Sequence, residues 1–285
     1  MKKAQTEYLL SMSASVRVYL SGDAVHDRVL RAFYEGCPKE KELVEGFEYE
    51  PSEVAVIFGV YKSRVRKSWP RGKVFRQQRS NNLDVIVLET GYINRGDGEN
   101  HHYAVGKNGL NGRADFRNKS SDPDRWEGLG VTLKPYYRGD NIVLCGQVPW
   151  DASVDHSKHE EWLAETAKKI RKLTDRPIVF RPHPLASLPP LKGCEYSIKP
   201  LNEDLKTAHT VVTFNSNSGV EALIEGKPVF AFDEGSMVWE ACNKDLKDIE
   251  SPQYHNRLQW ARNLAYCQWT PEEIRQGLAW RHLFR

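Results

Sequence analysis

The sequence predicts an α/β protein made of two similar domains that face a cleft, each a parallel β-sheet wrapped by helices. Short apolar runs rich in Val and Ile alternate along the chain with stretches of helical periodicity, a pattern typical of parallel sheets. The chain has 285 residues, of which 40% are hydrophobic and 28% are charged. Such a length and composition suit two ordinary globular domains.

The predicted strands are apolar runs with β-branched residues. They are, in order, Ser15–Leu20, Val54–Val60, Val85–Leu88, Ile142–Leu144, Ile178–Phe180, Val211–Phe214 and Val229–Phe232.

Three segments have helical patterns. The first covers 24–36, and the second, 157–173, carries its apolar residues on one face. The third begins at Pro271, with Thr270 as its N-cap and acidic residues in its first turn. The region 94–140 is long and polar.

The break in the pattern near 146–156 sets the predicted domain boundary. We expect an N-terminal, acceptor-side domain over 1–145 and a C-terminal, nucleotide-sugar-binding domain over 146–269. The tail, 270–285, is predicted to form a helix that packs back towards the N-terminal domain.

Composition argues against membrane, secreted and metal-binding classes. No run of about eighteen apolar residues is present, and the N-terminus lacks the pattern of a signal peptide. The five cysteines are scattered without a CxxC spacing, which favours reduced thiols over a disulfide framework or a zinc site. We therefore expect a cytoplasmic protein (in the host cytoplasm if viral) with no membrane anchor and no bound metal.

The segment 211–230 predicts an anion site. It reads as a buried strand, a polar turn that opens a helix, and a second buried strand. Unpaired amides and hydroxyls at a helix start favour phosphate, and an acidic residue in the first turn lies within reach of a ribose. A cap of that helix is the structural alternative. The residues concerned are Ser216, Asn217, Ser218, Gly219 and Glu221.

A second strand ends in a cation and a histidine. Arg181-Pro182-His183-Pro184 follows the predicted strand Ile178–Phe180. The two prolines fix the backbone and remove N–H donors, which orients the imidazole. Two such strand ends that converge on one phosphate indicate a nucleotide or nucleotide-sugar site.

Four motifs, in order along the chain, resemble one group of enzymes. Residues 89–95 (ETGYINR) resemble an EDGF(I/L)RS segment, and 146–153 (GQVPWDAS) resemble GQVxxDAS. RPHP at 181–184 and SGVEAL…GKPV over 218–229 complete the series. Together they resemble GT-B glycosyltransferases, in particular the capsule-polysaccharide-synthesis group that includes the Kdo transferases. The resemblance covers roughly residues 85–230.

The resemblance implies the GT-B fold, two Rossmann-like domains facing a cleft, and a nucleotide-sugar-dependent, metal-independent glycosyltransferase without a cofactor. The leaving phosphate needs donors as its charge builds, a role that suits Ser218, Gly219, Arg181 and His183, with Lys227 a weaker candidate. We expect a UDP-sugar as donor. Gln147 at the domain junction joins the donor-binding residues, although a hinge role fits it equally.

An inverting transferase needs a base for the acceptor hydroxyl proton. Glu89, at the end of a buried strand, is the first candidate, followed by Asp97 and Asp115; a loop-bracing carboxylate is the alternative for Glu89. The group's aspartate corresponds to Thr90 here, so its role does not carry over to that position. The segment 232–235 (FDEG) also lacks the tyrosine- and tryptophan-containing sequence usual in the Kdo enzymes.

A basic segment indicates a possible acceptor surface. Between Tyr61 and Leu83 there are eight basic residues and no acidic ones, while the whole chain carries only +3. With interleaved aromatics, such a stripe suits a phosphate backbone, and a solvated basic helix explains it equally well. The candidate DNA-binding residues are Lys62, Arg64, Arg66, Lys67, Arg71, Lys73, Arg76 and Arg79, together with Arg95 in the following polar region.

This stripe, the small size and the lack of a membrane anchor favour double-stranded DNA as partner, with a 5-hydroxymethylpyrimidine such as hydroxymethylcytosine as acceptor, as in phage DNA modification. A capsular or other cell-surface glycan is the alternative acceptor. A nucleotide-sugar 2-epimerase and a non-enzymatic DNA-binding protein remain open as other classes. The metal-like spacing of His156 and His159 is explained by the polar first turn of a helix.

Overall fold

The computed structural model describes residues 14–46, 48–60, 70–154 and 158–285. The chain divides into two compact units. One consists of the residues up to Lys119 together with Leu264–Arg285, and the other of Ser120–Asn263. Each unit contains one β-sheet.

The first unit has a six-stranded sheet in the order β11-β5-β4-β3-β1-β2. Strands β2, β1, β3 and β4 are parallel, whereas β5 and β11 are antiparallel to their neighbours. The strands are β1 (Val16–Tyr19), β2 (Lys41–Val44), β3 (Val54–Phe58), β4 (Asp84–Thr90), β5 (Tyr103–Lys107) and β11 (Gln268–Trp269).

Both faces of this sheet are covered, because successive side chains of a strand point to opposite faces. Val56 and Phe58 lie in the core that contains α1 (Ala24–Gly36). Ala55 and Ile57 lie in a second core, together with Val74 of α2 (Pro70–Ser80).

The C-terminal segment packs within the first unit. It contains β11, α8 (Pro271–Arg275) and α9 (Leu278–Leu283), and Thr270 closes the start of α8 with a capping box. Trp269, Ile274 and Trp280 belong to the same core as α1. The approach is so close that a Cβ at Gly36 would overlap the carbonyl oxygen of Ile274.

The second unit has a five-stranded, fully parallel sheet in the order β10-β9-β6-β7-β8. Its strands are β6 (Asn141–Cys145), β7 (Ile178–Arg181), β8 (Glu195–Tyr196), β9 (Ala208–Thr213) and β10 (Val229–Ala231). Its helices are α3 (Asp124–Gly128), α4 (His159–Arg171), α5 (Leu201–Thr207) and α6 (Ser218–Ile224), while α7 (Leu258–Ala265) crosses the boundary between the units.

The α/β class is confirmed, with a fully parallel second sheet, whereas the first sheet adds the antiparallel strands β5 and β11 to a parallel core. The domain boundaries differ from those expected, because β6 is the middle strand of the second sheet, not the last strand of an N-terminal domain ending at 145. The Gly-Gln-Val-Pro segment therefore marks the end of a strand. Residues 264–269, predicted for the second domain, lie in the first unit. No helix in the described ranges is long and apolar enough to cross a membrane.

Gly226 is required by its surroundings in the second unit. Its φ is +78°, and an added Cβ would overlap the Pro135 carbonyl oxygen and lie 3.0 Å from that of Lys134. We expect Gly226→Ala to lower the free energy of unfolding by about 2–4 kcal/mol, because strain and overlap add. Urea unfolding measures the change. Gly128→Ala is the matched control: nothing lies within 4 Å of its added Cβ, so an equal loss in both variants would contradict the prediction.

Candidate functional site

The carboxyl edge of the second sheet contains the point where the strand order reverses. From the central strand β6 the chain continues to β7 on one side, and it later returns to β9 on the other side of β6. Ligands of open α/β sheets bind in the crevice outside the strand ends at such a switch point. The residues that follow β6 and β9 are therefore the first to inspect.

A pair of amide side chains joins these two strand ends. Gln147, after β6, donates from Nε2 to Asn215 Oδ1 (2.5 Å), and the Asn215 backbone N–H donates to Gln147 Oε1 (2.9 Å). Both side chains are buried. We call this pair the amide clasp. Gln147 therefore holds the two loops together through its side chain. The sequence had suggested either a direct contact of this side chain with the donor or a hinge role.

The clasp continues into two neighbouring loops. Asn215 Nδ2 donates to Asp233 Oδ2 (2.6 Å) and to the Ser153 carbonyl oxygen (3.1 Å). The Gln147 backbone N–H donates to His159 Nε2 (3.0 Å). Because burial lowers the pKa of His159, its ring stays neutral and can accept this bond. The network fixes the loops after β6, β9 and β10 relative to one another.

The serine turn at 216–218 lies directly after the clasp. Ser216 Oγ and Ser218 Oγ are 3.2 Å apart, and both residues are half-buried. Ser218 also hydrogen-bonds the Cys145 side chain at the end of β6, where burial raises the thiol pKa to about 12. The two hydroxyls are thus positioned at the same strand ends as the amide clasp.

The amides of this turn differ from the expected unpaired state. The Ser218 N–H donates to Ser216 Oγ (3.2 Å), the Gly219 N–H to the Ser216 carbonyl oxygen (3.0 Å), and the Val220 N–H to that of Asn217 (2.9 Å). The tight turn satisfies these three donors itself. At Ser218 the group that the turn offers to a ligand is therefore the hydroxyl and not the backbone amide.

Gly219, Asn217 and Glu221 have local roles. Gly219 is buried, and an added Cβ would lie 3.2 Å from Val238 Cγ2, so this glycine leaves room for the Val238 side chain of the segment after β10. Asn217 Nδ2 donates to Glu221 Oε1 (3.3 Å), and Glu221 is exposed.

His183 is oriented by its own loop. Its Nδ1 accepts the Leu185 N–H (3.2 Å), so the proton of the neutral ring is on Nε2. The residue is half-buried in the loop after β7, the strand that neighbours β6. His183 can therefore donate a hydrogen bond to an anion.

Arg181 has a structural role instead of the predicted phosphate contact. Its guanidinium donates to the Lys199 carbonyl oxygen and forms an ion pair with Asp204 (3.2 Å). Both side chains of the pair are largely buried. Asp204 also accepts from Ser197 Oγ (2.9 Å). The arginine thus braces β7 against α5.

Lys227 is also internal. Its side chain is 0% exposed, and Nζ donates to the Ala208 carbonyl oxygen (2.7 Å) and lies over the Tyr137 ring. Burial lowers the pKa of Lys227 to about 8. It anchors the start of β9 and does not serve as a phosphate ligand.

The buried lysine predicts a pH dependence of stability. Between about pH 8 and 10.5 the folded protein has lost the Lys227 proton that the unfolded chain keeps, so its contribution to the free energy of unfolding rises with pH. We expect wild type to gain, on the order of 2 kcal/mol, relative to Lys227→Met between pH 7 and pH 10. Urea unfolding at both values measures this gain, and parallel pH curves would contradict it.

The predicted acidic base candidates lie in the first unit. Glu89 is half-buried at the end of β4, and its Oε1 accepts the Thr90 N–H (2.9 Å). Asp97 and Asp115 are exposed, and Asp115 Oδ1 accepts the Arg117 N–H. Arg95 is exposed in the loop after β4.

The basic stripe contributes few exposed cations in the described part of the chain. Lys73 and Arg76 are exposed on α2, whereas Arg71 is buried and donates to the Phe58 carbonyl oxygen (2.5 Å). Arg79 donates to the Leu83 carbonyl oxygen (2.9 Å). The other four members lie outside the described residues: Lys62, Arg64, Arg66 and Lys67.

Several residues of the second-unit network were not predicted from sequence. Asn215 adjoins the predicted turn, Asp233 was noted only as a departure from the related group, and His159 was assigned to a solvated helix start. Strand ends at a switch point are the signal that could have identified Asn215 and Asp233. In the described ranges no group of three or more His, Cys, Asp or Glu residues is arranged to hold a metal ion.

The two-sheet fold is one that glycosyltransferases use. Two solved structures from Thermosulfurimonas dismutans share it: the KpsC β-Kdo 2,7-transferase (18% identity, TM-score 0.55, covering 93% of this chain and 98% of that one) and the KpsC β-Kdo 2,4-transferase (16% identity, TM-score 0.58, 90% and 91%). At these identities the likeness is one of fold. No family model matches this sequence, and no curated protein does.

Proposed function

We propose that this protein is a GT-B glycosyltransferase that moves a sugar from a nucleotide sugar to a hydroxyl group of a cell-surface glycan. The observation that carries the proposal is the amide clasp, Gln147 with Asn215, at the switch point of the second sheet. The serine turn and His183 follow strands at the same edge. The fold shared with two Kdo transferases supports the class of reaction.

The chemistry requires stabilisation of the leaving phosphate. As the bond between the anomeric carbon and the phosphate oxygen breaks, negative charge builds on that oxygen. We assign its stabilisation to the Nε2–H of His183 and the hydroxyls of Ser216 and Ser218, without a metal ion. The amide clasp holds the serine turn in place, so these donors need little reorganisation.

The acceptor proton needs a base. We assign that role to Glu89, with Asp97 and Asp115 as alternatives, because Glu89 is the half-buried carboxylate at a strand end. The acceptor oxygen forms its bond to the anomeric carbon, its proton passes to the carboxylate, and the electron pair of the broken bond leaves with the nucleotide.

A glycan acceptor is favoured over DNA. Both structures that share the fold are named as Kdo transferases. Among the described members of the basic stripe, Lys73 and Arg76 are exposed, whereas Arg71 is buried and Arg79 is half-buried, so the described part of the stripe supplies few of the phosphate contacts that a duplex needs.

A donor-by-acceptor panel tests the proposal. The purified protein is incubated with UDP-sugars or CMP-Kdo and either Kdo-containing oligosaccharides or duplex DNA with 5-hydroxymethylcytosine, and products are identified by mass. We expect one sugar increment on an oligosaccharide. An increment on the modified base would transfer the acceptor role to DNA. Conversion of the donor without acceptor would indicate an isomerase, and no consumption of any donor would refute the transferase.

A further inference from the structure

The first sheet has a switch point of its own. From β1 the chain continues through α1 to β2 on one side and then returns to β3 on the other side of β1. His26, in the first turn of α1, lies at this carboxyl edge with its ring stacked on Phe58, the last residue of β3 (centroids 3.9 Å apart, 17° between planes). The proposed transfer mechanism leaves this histidine without a role.

The ring is fixed on one edge by charged neighbours. Its Nδ1 is 3.4 Å from a guanidinium nitrogen of Arg71 and 3.6 Å from Asp23 Oδ1. Arg71 is 2% exposed and bound to the Phe58 carbonyl oxygen, so it cannot move away. Asp23 is engaged as the cap of α1, where it accepts the N–H groups of Val25 and His26.

These contacts select one tautomer. A guanidinium has no lone pair to accept a hydrogen bond, so Nδ1 must face Arg71 with its lone pair, which places the proton on Nε2. Burial and the Arg71 charge lower the pKa of His26, against the opposing effect of Asp23 and Asp27 on its own helix start and of Asp97 in the loop after β4. The ring is therefore neutral, oriented, and a donor at Nε2.

The Nε2 edge of the ring accepts and donates no hydrogen bond among the described residues, and 25% of the side chain remains exposed. The amides of Val25 and His26 are already satisfied by the Asp23 side chain, so at these two positions the edge offers a side-chain donor and not backbone donors.

We propose that the Nε2–H of His26 donates a hydrogen bond to an oxygen of the acceptor sugar and so orients the acceptor hydroxyl. The inference rests on the proposed glycosyl transfer and deepens it by naming a residue that recognises the acceptor. His26 is a binding group and not the base: Nε2 carries its proton in both charge states of the ring, so acceptor recognition does not depend on its titration.

Kinetics with three variants test this role. Loss of one hydrogen bond corresponds to about a tenfold change in affinity, so His26→Ala and His26→Asn should raise the acceptor KM about tenfold with a smaller effect on kcat. His26→Gln, which keeps an amide N–H near the Nε2 position, should stay within about threefold of wild type. His255→Gln, a half-buried histidine of the second unit, is the matched control.

A pH profile and a binding measurement distinguish the outcomes. If His26 were the base, the kcat of wild type would fall at low pH as the ring becomes protonated, and His26→Gln would lose this pH dependence. That result would overturn the inference. Two-bond 1H–15N spectra should show a protonated Nε2 that shifts when a synthetic Kdo disaccharide is added. The inference would also be overturned if Nε2 were unprotonated, or if its signal did not shift on addition of the disaccharide and the acceptor KM of His26→Ala equalled that of wild type. If the wild-type protein transfers no sugar, the proposed function is refuted by that result alone. The spectra then still show whether His26 Nε2 binds the sugar.

Discussion

Asn215→Ala should lower the free energy of unfolding by about 3 kcal/mol and reduce sugar transfer at least a hundredfold. Truncation removes the partner of Gln147 Nε2 and of Asp233 in a buried site, and each buried polar group left without its bond costs about 1–3 kcal/mol. The loops after β6, β9 and β10 would then lose their common anchor, so the serine turn would no longer hold its hydroxyls in position.

Urea unfolding and donor turnover measure the two effects. Asn202→Ala replaces an exposed asparagine of α5 and should leave both quantities near wild type. A second variant, Asn215→Asp, keeps the shape but places a carboxylate oxygen against Asp233, so it should also be destabilised at neutral pH. Wild-type stability and turnover in Asn215→Ala would contradict the role given to the amide clasp.

His183→Ala should reduce kcat/KM about a hundredfold, which is the usual cost of removing one donor that stabilises developing charge. His183→Asn places an oxygen where Nδ1 accepts the Leu185 N–H but has no donor at the Nε2 position, so it should lose as much activity as His183→Ala. His183→Gln supplies an amide N–H there and should recover part of the loss.

Binding of the nucleotide product by calorimetry separates this role from a structural one. The affinity should fall in the Ala and Asn variants, while urea unfolding should stay close to wild type. Leu185→Ala, at an exposed position of the same loop, is the control and should keep its turnover. A variant lacking the Nε2 donor that binds and turns over normally would exclude His183 from the phosphate site.

Most of the long buried strands could be predicted from sequence, but β5, whose first four residues are buried, was missed within a polar region, and the short strands β2 and β8 could not be predicted. β9 consists entirely of buried residues, so its apolar run was visible. β8 consists of two residues, both exposed, and β2 has one exposed and three half-buried residues, so neither had a strong hydrophobic signal. The domain boundary was misplaced for a related reason. β6 belongs to the second unit because it is hydrogen-bonded to β7 and β9, and such pairing cannot be recognised from the local sequence.

The site could be predicted only as a region. Sequence identified the strand ends where Gln147, Arg181 and the serine turn lie, because polar residues follow apolar runs there. It did not show which side chains pair: Gln147 and Asn215 are 68 positions apart. Arg181 was assigned to a ligand because a cation at a strand end looks the same whether it faces solvent or a buried aspartate.

The return of the C-terminal segment to the first unit has a consequence for biosynthesis. The core around α1 includes Trp269, Ile274 and Trp280, which leave the ribosome only after all of Ser120–Asn263. The second unit is continuous in sequence and can complete its core while still tethered to the ribosome, whereas the first unit, although β1 to β5 emerge earlier, must wait until Trp269, Ile274 and Trp280 have emerged. The second unit would therefore finish folding before the first, although most of the first is synthesised earlier. Until then the apolar surface of α1 is exposed and prone to aggregation.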